Sequence, residues 1–264
     1  MSREPSPSTF DFRGRQVLVT GASHGIGFAV ASAFARCGAT LTILSGTPDI
    51  LAGAERIRDT TGADVTGRIC DITDRAAVRS AVGSLGGIDV LVNNAGLELM
   101  TPLDEPGSAV EDTFARIIQI NVVGTYYVTR EALPLMAAGS SIVITSSVWG
   151  KSAAAGFAAY VASKHANIGF MRVLAKELGP RGIRVNAVCP GWVRTRAAMR
   201  SLKAVSAEAD LSEDDMLGQI LGAQALPGLL EPDDVVDLYL FLASDQARNM
   251  TGQAINIDRG ELMI

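Results

Sequence analysis

The chain has 264 residues, 48% hydrophobic, 19% charged and 5% aromatic, with 27 Gly and 10 Pro. A chain of this length buries roughly 70–75% of its unfolded surface without a disulfide or metal staple, and the apolar content excludes a disordered protein. The net charge of −5, with acids and bases interspersed, argues against nucleic acid or an anionic membrane as partner.

Residues 1–12, MSREPSPSTFDF, have no apolar h-region of a secretory signal and read as a flexible tail. A single domain is expected over 13–264, and no apolar run reaches the roughly 18 residues of a membrane span. Strand and helix patterns alternate from there. QVLVT (16–20) stops at Gly21 and leads into a helix over 26–36, which Gly38 closes. ATLTILS (39–45) is a second strand, and Pro48 opens a helix to about residue 60. DVTGRIC (64–70) is a third, followed by a helix to about residue 82 that Asp74 caps. IDVLVNN (88–94), SSIVITSS (140–147), IRVNAVC (183–189) and AINID (254–258) complete seven strands, with helices near 109–137, 158–178 and 232–243. The central strands are apolar throughout, as when both faces of a sheet are covered, and the alternation demands a mainly parallel, doubly wound α/β sheet. The stretch 195–228 interrupts the rhythm and reads as a substrate-binding insertion. Cys37, Cys70 and Cys189 are far apart with no CxxC pair, so neither a disulfide framework nor a metal site is expected, and a reducing cytoplasm suits them.

The first strand runs into Thr20-Gly21-Ala22-Ser23-His24-Gly25-Ile26-Gly27, a GxxxGxG turn at a helix N-terminus, where unpaired N–H groups favour a pyrophosphate. Tyr160 and Lys164 stand four apart at the start of a helix, so they share a face, with Cβ atoms about 6 Å apart. A nearby ammonium favours phenolate, which would bring the Tyr160 phenol down toward neutral pH as a proton donor and acceptor. Ser147 ends the fifth strand at the carboxyl edge of the sheet, where its hydroxyl can donate to a substrate oxygen. Asn121 is an amide within an apolar helical stretch and must find partners.

TGASHGIG, Asn93-Asn94-Ala95-Gly96, Tyr160-Val161-Ala162-Ser163-Lys164 and Pro190-Gly191, in this order and spacing, resemble the short-chain dehydrogenase/reductase family over about residues 14–260. The resemblance implies a Rossmann-type domain, NAD or NADP as cofactor, a homotetramer or homodimer, and a small-molecule alcohol or ketone as substrate. It implies a catalytic set of Asn121, Ser147, Tyr160 and Lys164, with Asn121 anchoring a water that serves Lys164. Cofactor contacts carried over are Gly21, Ser23, His24, Gly25, Ile26 and Gly27 of the glycine turn, then Ser45, Asp71 and Ile72. Asn93, Ala95, Gly96, Tyr160, Lys164, Pro190, Gly191, Val193 and Thr195 complete them. The second strand ends in Leu44-Ser45-Gly46-Thr47, without the acid of NAD-preferring members, and His24 stands where NADP-binding members often have a base. The preference leans to NADP. Asp258-Arg259-Gly260 departs from the family's usual Asp-Gly-Gly. Trp149, Lys151, Phe157, Trp192 and Arg196 are expected to line the substrate end, with Lys151, Arg194 or Arg196 meeting an anionic or strongly polar group. The expected activity is interconversion of a secondary alcohol and a ketone by hydride transfer. A 3-oxoacyl or polyketide ketoreductase is the alternative, and a non-catalytic nicotinamide-binding sensor a third reading.

Overall fold

β-Branched runs form all seven expected strands in the computed structural model, which describes residues 10–104 and 107–264. They are β1 (Gln16–Thr20), β2 (Thr40–Ser45), β3 (Val65–Ile69), β4 (Val90–Asn93), β5 (Ser141–Thr145), β6 (Arg184–Pro190) and β7 (Ala254–Ile257). They make one sheet in the order β3-β2-β1-β4-β5-β6-β7, and every pairing is parallel. The chain reverses its direction of growth between β1 and β4, so a crevice opens above their carboxyl ends.

Helices cover both faces, as the uniformly apolar strands require. Val17 and Val19 face α1 (Gly25–Arg36), α2 (Asp49–Thr61) and α9 (Val236–Ala243) through Val30, Phe34, Ile57 and Tyr239. Leu18, Leu91, Ile142 and Ile144 face the opposite layer of α3 (Arg75–Gly83), α5 (Thr125–Ala132) and α6 (Ala158–Leu178) through Val78, Val128 and Met171. The Asp74 carboxylate caps α3 as expected, accepting from the N–H groups of Ala76 at 2.8 Å and Ala77 at 3.1 Å.

Two expectations change. The single helix expected near 109–137 is divided into α4 (Ser108–Ile118), a π-helical turn (Gln119–Gly124) and α5. That turn holds Asn121 wholly buried and brings Gly124 so close to Ile72 that an added Cβ would lie 2.6 Å from its side chain. Of the expected tail, residues 1–9 lie outside the described residues, whereas Phe12 is 3% exposed and meets the Phe34 ring edge-on at 4.8 Å. The stretch 195–228 contains α7 (Arg196–Glu208) and α8 (Glu213–Gly222), and Leu230 closes its neck by pairing with Val193 and accepting from the Arg194 N–H at 2.7 Å. Among the described residues no helix is long and apolar enough to cross a membrane.

Candidate active site

The carboxyl ends of β1, β2, β4, β5 and β6 enclose one elongated cavity of about 460 Å³. Its floor is the turn after β1. Gly21 has φ +65°, and a Cβ there would lie 2.6 Å from the Ala95 Cα, so the turn closes only on glycine. Asn94 ties this turn to β4: its amide donates to the carbonyls of Thr20 at 3.2 Å and Gly21 at 3.1 Å. Ser23, His24, Gly25 and Ile26 line the cavity where α1 begins, and His24 places no side-chain cap on that helix. The first N–H groups of α1 are therefore left for an anion. Gly27 is not a lining residue; a Cβ there would collide with the Gly21 carbonyl and the Asn94 amide, so this glycine lets α1 pack against the strand edge.

At the β2–β3 end lie Ser45, Asp71 and Ile72 as expected, joined by Thr47 and Arg116. Burial pushes the Asp71 carboxyl up, but two hydrogen bonds from Thr73 and the Arg116 guanidinium at 3.2 Å outweigh it and hold Asp71 below the usual carboxylate range. Burial, helped by Arg196, lowers the His24 imidazole below its ordinary value. Asn93 is not in the cavity: it is 4% exposed and its amide donates to Thr129 at 2.9 Å, while its neighbour Asn94 takes the wall position. Ala95 and Gly96 line the middle of the cavity, and Pro190, Gly191, Val193 and Thr195 the side opposite.

Ser147, Tyr160 and Lys164 converge on the far end. Ser147 is held at the end of β5 by accepting from the Trp149 N–H at 3.1 Å, and its hydroxyl acts to lower the Tyr160 phenol. Lys164 is 3% exposed; its Nζ donates to the Thr145 carbonyl at 2.9 Å and stands 5.3 Å from the Tyr160 ring centre. The expectation of an acidified phenol is corrected. Burial, and then the nearby Glu98, raise the Tyr160 phenol above its ordinary value, against the Ser147 hydroxyl. Burial also holds the Lys164 ammonium down to about 8. Asn121 is placed beside this group, not within the cavity lining. Its Oδ1 accepts from the Leu97 N–H at 2.7 Å, and its Nδ2 donates to the Leu97 carbonyl and to Ser163. The side-chain amide is thus committed to fixing the 96–98 segment.

Of the expected substrate contacts, Trp149 and Trp192 line the cavity and cross edge-on at 6.3 Å. Lys151, Phe157 and Arg196 do not. The Lys151 Nζ points away to β7, donating to the Ala254 carbonyl at 2.6 Å and Asn256 Oδ1 at 2.7 Å. Phe157 is 2% exposed and supports Trp149 from behind at 4.9 Å. Arg196 is exposed at the start of α7, where its charge acts on His24, and Arg194 pairs with Glu231 at 2.8 Å. The insertion reaches the cavity through Thr195, which caps α7, and through Ala197 and Ala198 at the start of that helix. Glu98 also lines this end; a carboxylate just past β4 in the otherwise apolar LELM was the sequence signal for it.

The glycine turn, the uncapped start of α1 and the length of the cavity fit a dinucleotide, with Gly21, Ser23, Gly25, Ala95 and Lys164 among the residues that could hold it. The comparisons with known proteins agree. A family model described as enoyl-(acyl carrier protein) reductase matches residues 21–261. The uncharacterized oxidoreductase YxjF of Bacillus subtilis is 34% identical over 256 residues, which cover 94% of this chain and 98% of YxjF. The structure of carveol dehydrogenase from Mycobacterium avium in complex with NAD superposes with a TM-score of 0.85 at 30% identity, covering 96% of this chain and 99% of that one. Actinorhodin polyketide ketoreductase with NADPH gives 0.86 at 28% identity, covering 94% and 97%.

Proposed function

The chain belongs to the short-chain dehydrogenase/reductase family, and on that footing we propose that Ser147, Tyr160 and Lys164 are its catalytic groups in an NAD(P)-dependent interconversion of a neutral secondary alcohol and its ketone. The observation that carries this reading is the convergence of those three side chains on one end of a cavity whose floor is the glycine turn. When bound, the nicotinamide accepts or gives the hydride. In the reducing direction Ser147 donates a hydrogen bond to the carbonyl oxygen, and Tyr160 gives that oxygen its proton as the hydride reaches the carbon. In the oxidising direction the tyrosinate takes the hydroxyl proton. The Lys164 ammonium stabilises the tyrosinate and, with the positive charge of oxidised nicotinamide, opposes the upward push of burial on the phenol. Asn121 acts as a positioning residue through Leu97 and Ser163. The substrate is neutral in this reading, because the cations once expected to meet an anion are engaged elsewhere or lie outside the cavity.

A homotetramer or homodimer in the cytoplasm belongs to the same proposal; the family resemblance supports the former, and three buried cysteines suit a reducing compartment. Tyr160→Phe is the test. It is expected to bind NADH or NADPH as the parent does and to lose turnover about 10²–10⁴-fold, the usual share of general acid–base catalysis. Parental turnover in that variant would overturn the assignment.

A further inference from the structure

The substrate end of the cavity has an uneven character. On one side stand the Trp149 and Trp192 rings, the first also edge-on to Tyr160 at 6.0 Å. Lining the same cavity, together with Tyr160 and Lys164, is Glu98, an acidic side chain that the reaction does not use. Its main chain is fixed at two points: Asn121 clamps Leu97, and Arg200 of α7 donates to the Glu98 carbonyl at 2.7 Å. Burial raises the Glu98 carboxyl above its ordinary value, against the opposing influence of Ser201, Arg200 and Lys164 around it. A carboxylate offers about four acceptor positions, and Glu98 is among the residues that line the cavity.

We propose that Glu98 accepts a hydrogen bond from a second hydroxyl of the substrate, which makes the enzyme selective for neutral diols and polyols over simple alcohols. The inference rests on the alcohol–ketone reading above. An anionic substrate would be repelled by Glu98 and would find no cation here except Lys164. A cationic substrate would place a further positive charge beside Lys164 and the oxidised nicotinamide. A hydroxyl satisfies the acceptor without adding charge, and the indole rings cover the C–H face that a polyol presents.

Both tryptophans of the chain line the cavity, so intrinsic fluorescence reports binding there without turnover. Matched pairs serve as probes: butan-2-ol with butane-2,3-diol, cyclohexanol with cyclohexane-1,2-diol, and pentan-3-ol with xylitol. The parent is expected to bind the polyhydroxylated member of at least one pair about tenfold more tightly, the size of a hydrogen bond to a charged group. In Glu98→Ala that preference is expected to vanish while the simple alcohol keeps its affinity, and Glu98→Gln, still an acceptor, is expected to lie between. No preference in any pair of the parent overturns the proposal. So does an equal loss for both members in Glu98→Ala, which would reduce Glu98 to a latch for α7. Failure of the redox reading is separate: it appears as no reduced-cofactor absorbance with any probe, whatever the binding preference.

Discussion

Lys164 is a charge buried beside a neutral carbonyl, an arrangement that folding alone would not select. Its value in the folded protein, about 8, lies below the 10.5 of the exposed side chain. The destabilisation is therefore fully present below pH 8 and is relieved as the pH rises from 8 toward 10.5, where the unfolded chain still holds the proton that the folded one has released. The interval corresponds to at most about 3 kcal/mol. Lys164→Met is expected to melt several degrees above the parent at pH 7, to lose that advantage near pH 10.5, and to have no turnover. Melting curves at the two pH values check it; a parent more stable than the variant at pH 7 would refute it. The residue identities of this group were legible, because Tyr160 and Lys164 share a helix face and Ser147 ends a strand. The protonation energetics were not, since burial comes from strands far away in sequence. For the same reason Lys151 and Phe157 look like site residues by their nearness to Ser147 and Tyr160, yet their side chains are directed to β7 and to the back of Trp149.

Among the elements, the strands were readable because apolar β-branched runs bounded by Gly, Asp or Pro leave little choice of register. The π-helical turn was not readable. Its cause is tertiary, the inward Asn121 amide and the contact of Gly124 with Ile72, and a periodicity over 109–137 carries no mark of it. Arg259 gives the opposite case, a departure visible in the sequence whose consequence the backbone now defines. It follows β7 with φ +55°, in the left-handed region where the family's usual glycine would be unstrained. Its guanidinium answers by donating to the Pro227 carbonyl at 3.1 Å and pairing with Asp234 at 3.7 Å, which ties the C-terminal segment to the end of the insertion. Arg259→Ala and Arg259→Gly both remove those contacts but differ in backbone strain. The glycine variant is expected to be the more stable by roughly 0.5–1 kcal/mol after its greater unfolded-state freedom is counted. Denaturant titration of the two variants measures this difference, and an alanine variant of equal or greater stability would show that the turn carries no strain.

At the scale of the molecule, one sheet edge gathers residues from 21 to 198 into a cavity whose two ends do different work. The end formed by β2 decides which dinucleotide is held, and there the side chains are hydroxyls: Ser45 Oγ stands 3.4 Å from Ser23 Oγ and 3.5 Å from Thr47 Oγ1. The sequence lean to NADP rested partly on His24, whose imidazole burial lowers, and the acid and the cation at this end, Asp71 and Arg116, are paired with each other at 3.2 Å. Both NADH and NADPH are then expected to stabilise the fold. At a free concentration of about 100 Kd, either contributes about 2.7 kcal/mol, roughly 5–10 °C in Tm for a chain of this size. Ser45→Asp would set a carboxylate where a ribose 2′-phosphate must lie, while leaving an acceptor for a 2′-hydroxyl. Its NADPH affinity is expected to fall about tenfold or more, with a smaller thermal shift, while the NADH shift is maintained. Thermal melts of both proteins with each cofactor decide the matter: an undiminished NADPH shift in Ser45→Asp would mean that the adenosine ribose lies elsewhere along the cavity.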